Sequence, residues 1–98
     1  MGRLDTIFEA LAHPVRRRIL SLLKAEGELA AGDLAQHFDI GKPTLSHHLR
    51  TLLEAGLVDR ERRGRNLYYR VQLSALEEAA QVAFDLLDVS SSEPGASP

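Results

Sequence analysis

A short run of polar and basic residues directly after Gly41 has side chains that suit the recognition of nucleic acid. Small hydroxyl groups and imidazoles can reach the edges of bases, whereas lysine and arginine reach guanine or phosphate. The hydroxyl side chains and His47 are therefore expected to read bases, and Lys42 and Arg50 to contact the DNA backbone. The candidate contact residues of this run are Lys42, Pro43, Thr44, Ser46, His47 and Arg50.

A second basic group surrounds Gly64, where Arg62, Arg63 and Arg65 stand with no acidic residue at the tip itself. Glycine permits a tight turn between two strands, and an arginine at such a tip can enter the minor groove of DNA. We expect these three arginines to form a second DNA contact. The alternative is a turn that is charged only for solubility.

The positive charge of the chain is concentrated in the segment that holds both groups, although the formal net charge is −2. Residues 42–71 contain seven basic and three acidic residues, whereas residues 72–98 contain five acidic residues and no basic one. Phosphate responds to the local potential, so residues 42–71 are the candidate nucleic-acid surface. The acidic end of the chain is expected to face away from it.

Apolar periodicity predicts the elements that would position these groups. Helical spacing indicates a first helix over residues 4–11, a second from Pro14 to about Gly27, a third over 31–38 and a fourth over 42–55. The basic run Arg16–Arg18 is expected to lie largely on the solvated side. A two-residue period then indicates strands at 58–62 and 67–71, joined by a turn. Ser74 is predicted to cap a last helix, with Glu77 as its capping-box partner.

Two short helices joined by a three- to four-residue turn, and followed by a basic hairpin, describe a winged helix-turn-helix. The predicted fold class is therefore mainly α with a β-hairpin wing, in the order of four helices, two strands and a fifth helix. The folded domain is expected to span residues 1–89, and the composition of residues 90–98 indicates a disordered tail. A chain this short has little room for a core of its own, which favours oligomerisation.

The remaining polar residues show no pattern of a catalytic or metal site. The chain has no cysteine, and neighbouring residues on a helix point about 100° apart, so His47 and His48 are poorly placed to hold one ion. His13 and His37 stand alone in the sequence. No motif pairs a nucleophile with a base. We therefore expect neither an enzyme nor a bound cofactor or metal ion.

No apolar run is long enough to span a bilayer. Asp5 and Glu9 interrupt the apolar positions of the N-terminus, where a signal peptide would have a continuous apolar core. The expected location is the cytoplasm, with no membrane as a partner.

Two stretches resemble the ArsR/SmtB family of winged-helix repressors, namely FEALAHPVRRRILSLL and LAAGDLAQHFDIGKPTLSHHLRTLLEAGLVDRERRGRNLYY. The likeness covers residues 4–87 and includes the Ser-x-His-Leu segment from Ser46 and the Gly64-Arg65 wing. It implies a two-fold dimer formed by the first and last helices, which places two recognition helices in successive major grooves of an inverted-repeat operator. The last helix carries a matching apolar stripe. The dimer residues implied in this way are Leu4, Ile7, Phe8, Leu11, Leu76, Ala80, Ala83, Phe84 and Leu87.

The chain departs from the metal sensors of that family. Many of them carry Glu-Leu-Cys-Val-Cys-Asp-Leu at the third helix, where this chain has ELAAGDL over residues 28–34. Both cysteines are missing, which excludes soft-metal sensing through that site. The last helix has carboxylates but no histidine, so only a weak carboxylate site is left open there. The segment IGKPTLSHHL is most similar to a cysteine-free branch that includes sporulation-delay-type autorepressors.

These features predict a sequence-specific regulator that binds double-stranded DNA and represses by occluding a promoter. Repression of its own promoter is included in this prediction. The sequence leaves open activation instead of repression, and a separate effector-binding protein as a partner. A protein-interaction module with the same fold is a further alternative. The basic wing, combined with Lys42 and Arg50, favours DNA over that alternative.

Overall fold

The computed structural model describes residues 2–87, so the predicted domain end at 89 and the predicted tail over 90–98 lie outside the described residues. The elements are α1 (Arg3–Leu11), α2 (Pro14–Glu26), β1 (Leu29–Ala30), α3 (Ala31–Ala35), α4 (Lys42–Glu54), β2 (Val58–Arg63), β3 (Asn66–Val71) and α5 (Leu73–Leu87). The mainly helical fold with a β-hairpin is confirmed. None of the helices over these residues is both long enough and apolar enough to cross a membrane.

The element order differs from the prediction by one short strand. β1 pairs antiparallel with β3, with Leu29 opposite Tyr69, and the sheet has the order β1-β3-β2. Two residues are too few to show the alternation that marks a strand, because that pattern needs at least four positions. The strand makes the wing part of a three-stranded sheet that is tied to the segment before α3.

The third helix is shorter than predicted and ends at Ala35 instead of Phe38. The next three amide groups, from residue 36 to Phe38, donate to carbonyl oxygens three residues earlier, at 3.0–3.3 Å. This tighter hydrogen-bond pattern is common where an α-helix ends. Phe38 still turns its side chain into the core, where it is 9% exposed.

The start of the last helix also differs from the prediction. α5 begins at Leu73, so Ser74 lies in its first turn, and the Ser74 hydroxyl donates to the Gln72 side-chain oxygen at 3.2 Å. The predicted capping box between Ser74 and Glu77 is therefore wrong. Gln72, the residue before α5, links the start of the helix to the sheet, because its side-chain amide donates to Asp59 on β2 at 2.9 Å.

One apolar cluster holds the helices and the sheet together. Burial of large aliphatic side chains is the main favourable term in folding, at roughly 1.5–3 kcal/mol for each fully buried side chain. Every helix from α1 to α5 and the strands β2 and β3 contribute to it. The largest side chains that are fully buried are Ile7, Ile19, Leu23, Leu34, Leu52, Leu57 and Val58.

Candidate nucleic-acid interface

Helix α4 divides cleanly into a buried and an exposed side. Leu45, Leu49 and Leu52 lie in the core, at most 5% exposed. The outward side carries every residue that the sequence predicts as a DNA contact on this helix, and all of them are exposed: Lys42, Pro43, Thr44, Ser46, His47 and Arg50. The sequence expectation about which side of α4 is polar and exposed therefore matches the structure.

The two ends of α4 are set by local sequence. Gly41 is the N-cap residue. Because glycine has no side chain, the amide groups of the first turn receive no hydrogen-bond acceptor from the cap. At the other end Gly56 has a φ of +74°, and the Leu57 amide donates to the Leu52 carbonyl at 2.9 Å. This pair of features is a Schellman motif, which ends a helix and turns the chain sharply. The motif directs the chain from α4 straight into β2 of the wing.

Arg16 contacts the buried side of α4. It is buried, whereas its basic neighbours Arg17 and Arg18 are exposed. Arg16 is 9% exposed, and its guanidinium donates to the carbonyl oxygens of Ala10, at 2.7 Å, and Glu9, at 3.2 Å. A third donor lies 3.2 Å from Nδ1 of His48 on α4. The expectation that Arg16–Arg18 as a group face solvent is wrong for Arg16, because the last carbonyls of α1 need donors and this side chain supplies them.

His48 is a buried polar residue of the recognition helix. Its ring lies 4.4 Å from the ring of His13, which in turn caps α2 by accepting a hydrogen bond from the Val15 amide. Because a guanidinium can only donate, Nδ1 of His48 is the acceptor and the neutral ring carries its proton on Nε2. Burial, followed by the neighbouring His13, Arg16 and His47, lowers the pKa of His48 from its usual 6.5.

The wing is a two-stranded hairpin whose tip is the turn Gly64-Arg65. Gly64 has a φ of +63°, and within residues 2–87 only glycines have a positive φ. A positive φ at the first central residue alone is what a type II′ hairpin turn requires. Each strand extends one residue beyond its predicted end, with Arg63 opposite Asn66. Arg62 and Arg65 are both exposed near the tip.

The arginines of the wing lie on two opposite faces of the hairpin, because side chains alternate along a strand. Arg60 and Arg62 are opposite Tyr69 and Leu67, on the face turned toward α4. We call this the inner face. Glu61 and Arg63 point to the other side, which we call the outer face.

The outer face neutralises its own charge. Arg63 forms ion pairs with Glu28 and Glu61, and Arg70 lies 3.3 Å from Glu28 and 3.4 Å from Glu61. The guanidinium carbon of Arg63 also lies 4.2 Å from the centre of the Tyr68 ring, a cation–π contact. Arg63 stands in the predicted set of DNA contacts, and the structure places its charge among these partners.

A second surface, formed by α1 and α5, is apolar and exposed. Its large side chains include Leu4 and Phe8 on α1 and Phe84 and Leu87 on α5, which are 37%, 41%, 65% and 76% exposed. An exposed ion pair between Arg3 and Glu78, at 2.8 Å, joins the two helices at this surface.

Some residues that the sequence assigns to a dimer interface are placed inside the protomer. Ile7 differs most from that expectation, because it is fully buried in the core of its own chain. Leu11 and Leu76 are half-buried and pack against that core. Ala80 and Ala83 are exposed beside Phe84. In a helix, adjacent positions point about 100° apart, and α1 uses Ile7 for its own core and Phe8 for its outer side.

Within residues 2–87, no three side chains of the metal-ligating types converge on one point. The chemistry that the described residues offer is therefore of two kinds. One surface presents hydroxyl, imidazole and guanidinium groups beside a helix N-terminus, and the other presents apolar side chains. A polar helix face next to a basic hairpin is the arrangement of winged helix-turn-helix proteins.

Comparison with known proteins places the chain within this class. A profile of the helix-turn-helix domain matches residues 11–61. The chain is 41% identical over 76 residues to the transcriptional repressor SdpR of Bacillus subtilis (strain 168), a match that covers 78% of this chain and 83% of the relative.

Solved structures agree with that match. The crystal structure of an ArsR family transcriptional regulator superposes with a TM-score of 0.82 at 25% identity, over 94% of both chains. The solution structure of a homodimeric winged helix-turn-helix DNA-binding domain from Mycobacterium bovis, a possible ArsR-family regulator, has a TM-score of 0.66 at 35% identity and covers 91% of this chain and 78% of that one. The chain therefore belongs to the ArsR family of winged helix-turn-helix transcriptional repressors.

Proposed function

We propose that this chain represses transcription as a homodimer that binds an inverted-repeat operator in double-stranded DNA and occludes a promoter. The observation that carries the proposal is the division of α4. Its apolar side is anchored in the core, and its first three turns expose only residues that can contact DNA. A recognition helix enters the major groove with its N-terminal residues nearest to the bases.

We assign separate roles to the exposed residues of α4 and the wing. Thr44, Ser46 and His47 read base edges, because their groups are short and can donate or accept hydrogen bonds. Lys42 and Arg50 contact phosphate groups at the two ends of the exposed run. At the wing, Arg62 and Arg65 reach the adjacent groove, and Arg63 contributes less because it is already paired.

The exposed apolar surface of α1 and α5 supports the homodimer. Large apolar side chains that cluster on the outside of a small protein usually mark a contact with another protein. Phe8 and Phe84 lie on this surface, together with Leu4, Ala80, Ala83 and Leu87. The homodimeric relative has the same fold, which supports a second copy of this chain as the partner. Two-fold symmetry then places two α4 helices about one turn of DNA, roughly 34–36 Å, apart.

The match to DNA-binding repressors supports the cytoplasm as the site of action. The same match to a family of DNA-binding repressors supports binding, and not catalysis, as the activity of this surface.

Fluorescence anisotropy with the duplex upstream of the protein's own gene tests the proposal. The control is a scrambled duplex of the same length, and both are measured at two salt concentrations. We expect binding to the upstream duplex that is at least about 10³-fold tighter, with affinity that falls steeply as salt rises. Equal affinity for both duplexes would contradict autorepression, and no binding to either at low salt would contradict DNA binding altogether.

A further inference from the structure

The inner face of the wing and α4 together form a cleft. Its lining includes a basic residue, Arg60, that is not among the predicted DNA contacts. The cleft has a volume of 290 Å³. Two of its lining residues, Ser46 and Arg50, belong to α4, and Arg60 and Tyr69 face them from β2 and β3. Leu53 and Leu67 complete the lining. Arg60 is not among the predicted contact residues, because it lies on β2 away from the hairpin tip.

The charge in this cleft is positive and uncompensated. Within residues 2–87, no carboxylate lies within 4.0 Å of the guanidinium group of Arg50 or of Arg60. The outer face of the same hairpin has a carboxylate for each of its arginines, Arg63 and Arg70. Two guanidinium groups beside one cleft repel each other, and an anion between them removes that repulsion.

Tyr69 also lines this cleft and carries a phenol. Tyr69 is only 4% exposed, and its phenol has no hydrogen-bond partner among the side chains and backbone groups of residues 2–87. Buried polar groups in proteins nearly always have a partner, so a ligand or water is expected at this oxygen. The guanidinium groups of Arg50 and Arg60 are donors that match the oxygen atoms of a phosphate group.

We propose that this cleft binds a phosphate group, and that Arg60 is a phosphate-contacting residue which acts with Arg50. The source of the phosphate is the DNA backbone between the groove that receives α4 and the groove that receives the wing. This inference rests on the proposed DNA-binding function and adds one contact per protomer to it. Arg60 thereby fixes the register of α4 relative to the wing on the duplex, since phosphate contacts position a protein without reading its sequence.

The first arm of the test compares Arg60→Gln with Arg70→Gln. Both changes remove one positive charge from the same hairpin, but Arg70 lies on the outer face and pairs with Glu28 and Glu61. Each phosphate contact contributes about 0.9 to the slope of log affinity against log salt, so a dimer that loses two contacts loses about 1.8. We expect Arg60→Gln to lower the salt slope by about 1.8 on both the upstream and the scrambled duplex. Arg70→Gln should keep the slope of the wild type.

The second arm uses inorganic phosphate without DNA and follows the side-chain Nε–H signals of the arginines by NMR. We expect the signals of Arg50 and Arg60 to shift together at millimolar phosphate, while that of Arg70 stays in place. Thermal denaturation of each variant at matched buffer identifies any change that comes from loss of folding.

The outcomes separate the two sources of phosphate. A lower salt slope with Arg60→Gln supports the backbone contact, whether or not inorganic phosphate alone saturates the cleft. Shifts with phosphate but an unchanged slope would overturn the backbone assignment and leave a free phosphate-bearing ligand. No shift and an unchanged slope would overturn the cleft itself. The absence of tighter binding to the upstream duplex would count against autorepression only, since the phosphate titration and the slope on scrambled DNA read the cleft independently.

Discussion

The inner and outer faces of the β2–β3 hairpin hold the same type of side chain in opposite electrostatic surroundings. On the inner face, Arg60 lines a cleft with Arg50, and no carboxylate of residues 2–87 is paired with either. On the outer face, Arg63 and Arg70 are both paired with Glu28 and Glu61. A count of basic residues along the wing therefore overstates the charge that DNA can meet. The availability of each arginine depends on the face to which alternation assigns it.

The difference also has a consequence for stability. Exposed ion pairs contribute only about 0–1 kcal/mol each, so the outer network is a weak structural element. Its larger effect is on the electrostatic potential, because it removes two cations from the field around the wing. The inner face keeps its charge and is the side that the recognition helix shares.

Phe84→Asp is expected to have the largest effect, because only a dimer brings two inner faces to one duplex. Phe84 is 65% exposed on α5. An aspartate in its place would be buried in the dimer interface without a partner for its charge, which disfavours association. We expect the dimer dissociation constant to rise at least about thirtyfold, or about 2 kcal/mol. Analytical ultracentrifugation at micromolar concentration measures it.

Gln81→Glu is the matched control for Phe84→Asp, since Gln81 lies on the polar side of the same helix and gains the same charge. It should remain dimeric. If Phe84→Asp also remained dimeric, the assignment of the apolar surface to the dimer would be wrong.

Arg65→Gln and Arg63→Gln compare a tip arginine with a paired one. Arg65 is exposed at the turn, and no ion pair within residues 2–87 involves it. Its loss should weaken binding to specific and scrambled duplexes alike and lower the salt slope by about 1.8 per dimer. Arg63→Gln should lower the slope by clearly less. Equal slopes for the two variants, measured by anisotropy, would show that the outer-face pairs do not withhold charge from DNA.

Glu28→Gln tests the comparison in the opposite direction. The change removes one of the two carboxylates shared by Arg63 and Arg70, so only Glu61 still pairs with them and more of their charge becomes available to DNA. We expect affinity for the scrambled duplex to increase about two- to fivefold, the size of one exposed ion pair. Glu26→Gln removes the same charge from α2 at an exposed position, and serves as the control for net charge. A gain of the same size in both variants would contradict the pairing.

The smallest expected effect is a pH dependence of stability that originates behind the recognition helix. Burial lowers the pKa of folded His48, whereas the unfolded residue titrates near its usual 6.5. The unfolded chain therefore binds a proton that the folded chain does not, and the free energy of unfolding falls as pH drops below about 6.5.

Urea denaturation at a pH on either side of this value measures that dependence. His48→Asn keeps an acceptor for Arg16 and should reduce the dependence on pH. His37→Asn removes an exposed imidazole as a control. A dependence that is unchanged in His48→Asn would assign it to other groups.

The regular elements could be predicted from the sequence, because each of them carries a local signal. Pro43 in the first turn and Gly56 at the end set the bounds of α4 to within one residue. The alternation of Leu67, Tyr69 and Val71 marks β3, and β2 pairs with it across the turn at Gly64. The two-residue period of a strand places Arg62 and Arg63 on opposite faces, although they are neighbours in sequence.

The missing features depend on contacts between residues far apart in the chain. Glu28 is 35 residues from Arg63, so no local pattern reveals that the two are paired. Arg16 resembles Arg17 and Arg18 in sequence, and only the end of α1 makes it a buried donor. Ile7 and Phe8 are both apolar, and the packing of α1 against α2, α4 and α5 decides which of them is inside. The short strand β1 exists only because β3 offers it an edge.

Selection of binding sites from a library of random duplexes tests the central claim most directly, because it needs no knowledge of the target gene. A homodimer that reads DNA with Thr44, Ser46 and His47 should enrich an inverted repeat whose half-site centres lie about 10–10.5 base pairs, or a multiple of that, apart. Replacing His47 should change the enriched half-site without changing its two-fold symmetry. Enrichment of no motif, or of a motif without symmetry, would contradict the account.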